Sequence, residues 1–226
     1  MLKSFEESKE AQDIAVKKRN IVTISYVNIL LYPLPIRIFH WVLVASLYLT
    51  IISGLMISCA YALVPMKSIR FIHISAGFVA FGIVLYRLGY AFMSGDYRNF
   101  SIKLKDFKTF PDLAKYYLFL RENPPALRTK YNIGQKITML SWLMGILYQT
   151  FTGIMLLNSS FVSKTSALSL LSKLILPQYL RTTKYFISIY FVITIMLHIY
   201  LAHTEDIAKS QSMLTGWVRV KRKNNN

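Results

Sequence analysis

Apolar and polar residues separate along this chain into long blocks. Hydrophobic stretches run over roughly residues 36–58, 71–93, 137–157 and 186–202, and most charged residues fall between them. The stretches average about 20 residues, which at about 1.5 Å of helical rise per residue covers the roughly 30 Å hydrocarbon core of a bilayer. The pattern predicts an all-α membrane protein, a bundle of four transmembrane helices. Its expected organisation is an N-terminal arm over 1–35, a membrane domain over 36–204 and a tail over 205–226. A soluble fold is disfavoured, because with 54% hydrophobic residues and a positive mean hydropathy its core would be too large for 226 residues.

Between the stretches two weaker signals appear. The segment from Phe110 to Arg121 repeats apolar and aromatic residues at helical spacing beside charged ones, which predicts an amphipathic helix in the membrane interface. Leu168, Leu170, Leu171, Leu174, Ile175 and Leu176 precede Pro177 and predict a short apolar helix lying on the outer surface or against a partner. The arm is expected to be helical around Glu6–Lys18, and prolines 33 and 35 end any such helix before the first stretch begins.

A net charge of +17 raises the question of nucleic acid, and the distribution of that charge answers it. Six Lys and Arg lie in the arm through Arg37, nine between Ser94 and Lys136, and five after Thr204, whereas the other two loops hold two and four. By the positive-inside rule the first three segments, and hence both termini, are cytoplasmic. Basic juxtamembrane segments also suit anionic inner-leaflet lipid, so no nucleic-acid partner is called for. Met1–Asn20 has no apolar core before a small-residue cleavage site, so the first stretch itself is expected to direct insertion. The lone Cys59 excludes an internal disulfide, a thiolate-held iron–sulfur cluster and a Cys-rich zinc site.

All four histidines lie in or at the end of the hydrophobic stretches. A histidine in a membrane span is costly unless it faces the bundle interior or a partner, so each is a candidate functional residue. Depth separates them. His40, early in the first stretch, and His198, late in the fourth, belong to the cytoplasmic half, and His203 lies at the cytoplasmic boundary. His73 opens the second stretch near the outer face, roughly 20 Å from the level of His198. The feasible pair is His40 with His198: two imidazoles from facing helices clamping a planar macrocycle would make a six-coordinate haem in the bundle core, suited to electron transfer. Arg37 and Arg70 each precede a histidine by three residues and are candidate partners for haem propionates.

Arg37-Ile38-Phe39-His40-Trp41, Ser53-Gly54-Leu55, Arg70-Phe71-Ile72-His73 and His198-Ile199-Tyr200-Leu201-Ala202 stand in an order that resembles the cytochrome b subunit of membrane-bound, quinone-reactive nickel–iron hydrogenases. Glu205-Asp206, Ser210-Gln211-Ser212-Met213 and Gly216 continue the resemblance. It implies a four-helix haem b subunit of the bacterial inner membrane. Such a subunit takes electrons from the large and small subunits of a periplasm-facing hydrogenase and passes them to quinone, and is not catalytic on its own. It also implies that His40 and His198 ligate an inner haem and His73 an outer one. The chain departs from the pattern where a His-His pair should provide the outer haem's second ligand. Thr183-Lys184-Tyr185-Phe186 stands there, and a protonated Lys184 cannot coordinate iron. Tyr131 likewise replaces a histidine tied to quinone chemistry. The rival readings are a cytochrome b anchor of the formate dehydrogenase or thiosulfate reductase type and a haem-poor membrane anchor or small transporter.

Overall fold

The computed structural model describes residues 26–60, 64–125, 129–157, 177–204 and 207–221. The expected helices around Glu6–Lys18 and Leu168–Leu176 lie outside the described residues. The elements in chain order are β1 (Tyr26–Leu30), α1 (Leu34–Ser58), α2 (Met66–Ser94), α3 (Tyr97–Phe100), α4 (Leu104–Phe107), α5 (Phe110–Tyr117), α6 (Ile133–Leu157), α7 (Pro177–Thr204), α8 (Ile207–Thr215) and β2 (Trp217–Lys221). Helices α1, α2, α6 and α7 are long and apolar enough to cross a membrane.

All four of these helices begin earlier than hydropathy alone suggests, three of them by four residues or more. Lys67, Ser68 and Arg70 form a polar opening to α2 after Pro65. Pro177 opens α7, at a position where its missing N–H costs nothing, so Arg181 and Lys184 lie within the helix rather than in a loop. At the start of α6 the Asn132 side chain accepts the Gln135 N–H at 2.8 Å and the Gln135 side chain accepts the Asn132 N–H at 3.0 Å, a reciprocal cap that satisfies donors a helix end leaves open.

Close packing runs from α1 to α2, α2 to α6 and α6 to α7. Val84, Ile146 and Phe191 form the buried centre, joined by Phe39 and Leu43 of α1, Trp142 of α6 and Ile195 of α7. Gly145 is required there, since a Cβ on it would stand 2.9 Å from the Phe191 ring. A ladder of polar contacts fastens α6 to α7. Ser141 bonds Tyr190, the Trp142 indole N–H donates to Thr194 Oγ1 at 2.9 Å, and Tyr148 meets Thr183 at 2.6 Å. Gln149 Nε2 donates to the Lys184 carbonyl at 3.0 Å while Lys184 Nζ donates to the Gln149 carbonyl at 2.9 Å. Between helices in lipid each such bond contributes on the order of 0.6 kcal/mol.

The connection from α2 to α6 folds back on α6 through a buried ion pair. Lys136 Nζ lies 2.8 Å from Asp106 Oδ2 and 3.0 Å from the Ser101 carbonyl. The amphipathic helix is present as α5, shorter than expected: Phe119 takes a left-handed backbone conformation (φ 60°) and the chain leaves the helix with Leu118, Phe119 and Leu120 exposed.

Residues Leu34–Asp206 form one compact unit, and those up to Pro33 together with Ile207 onward form another. In the second unit, arm and tail pair as an antiparallel ribbon, Tyr26 opposite Lys221 through Leu30 opposite Trp217. Among the described residues this ribbon is the one strand pairing in an otherwise all-helical structure, in keeping with the expected all-α fold. Gly216 makes the turn possible. Its φ of 89° favours glycine, its N–H caps α8 on the Ser212 carbonyl, and its own carbonyl accepts the N–H groups of Leu31 and Tyr32.

Candidate haem site

His40 is the seventh residue of α1 and His198 the seventh from the end of α7, so each stands roughly 9 Å in from its helix end. The two are close enough to interact electrostatically. His40 Nδ1 is buried and without a hydrogen-bond partner, and its ring meets the Trp41 indole edge-on at 5.1 Å. His198 sets its ring edge-on to Trp142 at 5.5 Å. A buried imidazole nitrogen left unpaired calls for a ligand, and two neutral imidazoles from different helices are the donor set of a six-coordinate haem. On this ground the residues fit the group. Among the described residues no cluster of three or more His, Cys, Asp or Glu could hold a metal ion.

His73 belongs to a separate level. It is the eighth residue of α2, and its Nδ1 lies 3.1 Å from the Thr50 carbonyl and 3.0 Å from Ser53 Oγ, both on α1. A carbonyl only accepts, so Nδ1 carries the proton and Nε2 keeps its lone pair. Gly54 leaves room for this ring, because a Cβ there would stand 3.2 Å from His73 Cε1. Lys184 is the eighth residue of α7 and interacts electrostatically with His73, so a lysine rather than a histidine shares the His73 level.

The other candidates separate from these. His203 is exposed and its Nδ1 bonds the Ile199 carbonyl at 2.8 Å, one turn back on its own helix. Arg37 is half-buried on α1, one turn before His40, whereas Arg70 is exposed in the opening turns of α2. Tyr131 is buried against Phe100, ring centroids 5.2 Å apart.

The pattern of the prokaryotic cytochrome b561 family matches residues 31–216 of this sequence. The chain belongs to that family. Membership in a b-type cytochrome family implies haem b, and four spanning-length helices make this cytochrome b561 relative an integral membrane protein. It is 26% identical to a probable Ni/Fe-hydrogenase B-type cytochrome subunit of Azotobacter vinelandii, over 95% of this chain and 96% of the relative. The likeness to the same-named protein of Azotobacter chroococcum mcd 1 has the same extent and identity. To that of Rhizobium leguminosarum bv. viciae it is 24% over 84% of this chain and 87% of the relative.

Sequence reasoning missed one residue of this cytochrome altogether. Arg87 lies in α2, nine-tenths buried, ion-paired with Asp96 and beneath the Phe39 ring next to His40. A single charge in the middle of a hydrophobic stretch was the available signal.

Proposed function

We propose that this protein is the haem b membrane subunit that relays electrons from the large and small subunits of a periplasm-facing [NiFe] hydrogenase to the quinone pool. The observation that carries the proposal is the pairing of His40 with His198 at one depth of the bundle, in a chain whose relatives are named as hydrogenase cytochrome subunits. His40 and His198 hold the haem iron from α1 and α7, and Trp142 orients the His198 ring. When bound, the haem supplies reversible single-electron exchange. Phe39 neighbours His40 in sequence and packs with Leu43 and Ile195 against the buried Val84–Ile146–Phe191 centre, an apolar setting that favours electron transfer over ligand chemistry at iron.

The excess of basic residues in the arm, the α2–α6 connection and the tail supports a cytoplasmic position for all three, and for both termini, in a bacterial inner membrane. His73 and Lys184 then lie toward the periplasmic face. A histidine facing a lysine favours a single haem per chain over two, because an ammonium held by the Gln149 carbonyl has no lone pair for iron.

A reduced-minus-oxidised spectrum of the purified protein tests the cofactor. A b-type α band is expected, and a spectrum without one would sink the proposal. Co-purification with both hydrogenase subunits tests the partnership, and isolation with a formate dehydrogenase or thiosulfate reductase instead would reassign it.

A further inference from the structure

The amphipathic helix expected at the membrane interface spends its buried residue on protein rather than on lipid. Leu113 of α5 is buried, and a Cβ on Gly134, the second residue of α6, would stand 3.4 Å from Leu113 Cδ2. Asn132 Nδ2 lies 3.5 Å from the Tyr117 hydroxyl, and the Lys136–Asp106 pair ties α4 to the same end of α6. The apolar run of α6 starts at about residue 137, roughly 4–5 Å further along the helix than Gly134. Helix α5 is therefore moored beside α6 just outside the hydrocarbon, at the level of lipid headgroups.

The turn that follows α5 is built unusually. The Leu120 N–H donates to the Lys115 carbonyl at 2.8 Å and the Phe119 N–H to the Tyr116 carbonyl at 3.0 Å, the paired bonds of a Schellman cap. The left-handed position of such a cap is ordinarily glycine, because a side chain there crowds its own backbone. Here it is Phe119, at φ 60° and 89% exposed. Leu120, which in these caps ordinarily folds back on the helix, is 75% exposed, and Leu118 is 68% exposed. Arg121 closes the turn on Asp112 of α5 at 3.2 Å. Single exposed apolar residues are commonplace, but three in a row, with a phenylalanine held where glycine is easiest, stabilise nothing in water. Burial in a bilayer gives them a use.

Charge agrees with a lipid surface. Residues 94–136 carry nine Lys and Arg against four Asp and Glu, and Asp96 and Asp106 are ion-paired with Arg87 and Lys136. Lys103, Lys105, Lys108 and Lys115 are exposed. An apolar point in a cationic segment suits the boundary of a bilayer, where leucine and phenylalanine reach acyl chains and ammonium groups meet phosphate.

We propose that Leu118, Phe119 and Leu120 form a membrane anchor, inserted into the bilayer that the four long helices span, with the lysines of the same connection on the phosphates of anionic lipid. The anchor needs only the spans and stands apart from the haem reading. It gives the α2–α6 connection a second point of attachment, to lipid, besides its buried ion pair to α6.

The test is power-saturation electron paramagnetic resonance on the full chain, one chain per nanodisc, in discs containing phosphatidylglycerol. A nitroxide is placed by Phe119→Cys, and separately by Leu120→Cys, in a Cys59→Ser background that leaves no other thiol. Collisions with oxygen, which concentrates in the acyl layer, are compared with those of a water-soluble nickel chelate, on a depth scale set by spin-labelled lipids. Both labels are expected to meet oxygen severalfold more often than the chelate and to lie below the phosphate level. An excess of chelate collisions would overturn the proposal by placing the turn in water. Low collision rates with both reagents would overturn it by showing the turn packed against protein. Should neither labelled variant assemble, a phosphatidylglycerol carrying a diazirine near the glycerol end of one acyl chain decides on the unaltered protein. Adducts on residues 118–120 are expected, and their absence alongside adducts on α6 would overturn the proposal.

Discussion

Replacing Lys136 by methionine should release the α2–α6 connection from the bundle. The Lys136 side chain is 2% exposed and that of Asp106 10%, and Nζ bonds both the Asp106 carboxylate and the Ser101 carbonyl. Methionine fills similar volume but supplies no donor, so the Asp106 carboxylate loses the Lys136 ammonium while the Lys103 N–H stays at 3.1 Å. Breaking one partner of a buried pair costs about 3–5 kcal/mol, most of it from the charge left behind. At about 1.4 kcal/mol per tenfold, that is an increase of roughly a hundred- to a thousandfold or more in the population of the locally opened segment. Hydrogen–deuterium exchange of peptides covering residues 101–110, in detergent or nanodiscs, reads this population. Lys136→Met should speed their exchange by that factor, and the double change with Asp106→Leu should restore most of the protection, because the carboxylate leaves together with its lysine. Unaltered exchange in the single variant, or equal loss in the double, would refute the reasoning that this pair pins the connection.

Gly145→Ala sets a Cβ 2.9 Å from the Phe191 ring and should destabilise the protein by about 1–3 kcal/mol through overpacking, read as earlier thermal loss of the folded state; an unchanged transition would mean that α6 and α7 are not so tightly apposed. Gly216→Ala forces an L side chain to a φ of 89° at a cost of about 1–2 kcal/mol, and proteolysis in the arm or tail should quicken as the ribbon loosens; equal cleavage rates would count against the pairing of β1 with β2. Lys184→His puts a second imidazole at the level of His73, whose Nε2 lone pair is free, so haem content should rise from one to two per chain. A wild-type protein already holding two would show that Lys184 does not limit the outer site.

The four spans were readable from hydropathy because lipid demands an almost unbroken apolar run, but their ends were not. Hydropathy marks where a helix meets hydrocarbon, whereas hydrogen bonding continues through polar turns such as Lys67–Arg70 and Gln178–Lys184. That difference matters for Lys184. Placed in a loop it is only a missing histidine, and placed as the eighth residue of α7 it stands level with His73. The ribbon escaped notice because β1 and β2 lie at opposite ends of the chain, and long-range pairing leaves no local periodicity. Of the candidate site, the depth argument that joins His40 to His198 needed only helix geometry. Arg87 was hidden because its worth lies in neighbours from other segments, Phe39, Asp96, Phe100 and Lys130, which sequence spacing does not bring together.

Haem content by pyridine haemochrome, measured on the unaltered protein and on His40→Ala, His198→Ala and His203→Ala, tests the central claim most directly. The unaltered chain and His203→Ala are expected to hold one haem b each, and the His40 and His198 variants to have lost it while remaining folded and membrane-inserted. Full haem content in either of those two variants would contradict the pairing of His40 with His198.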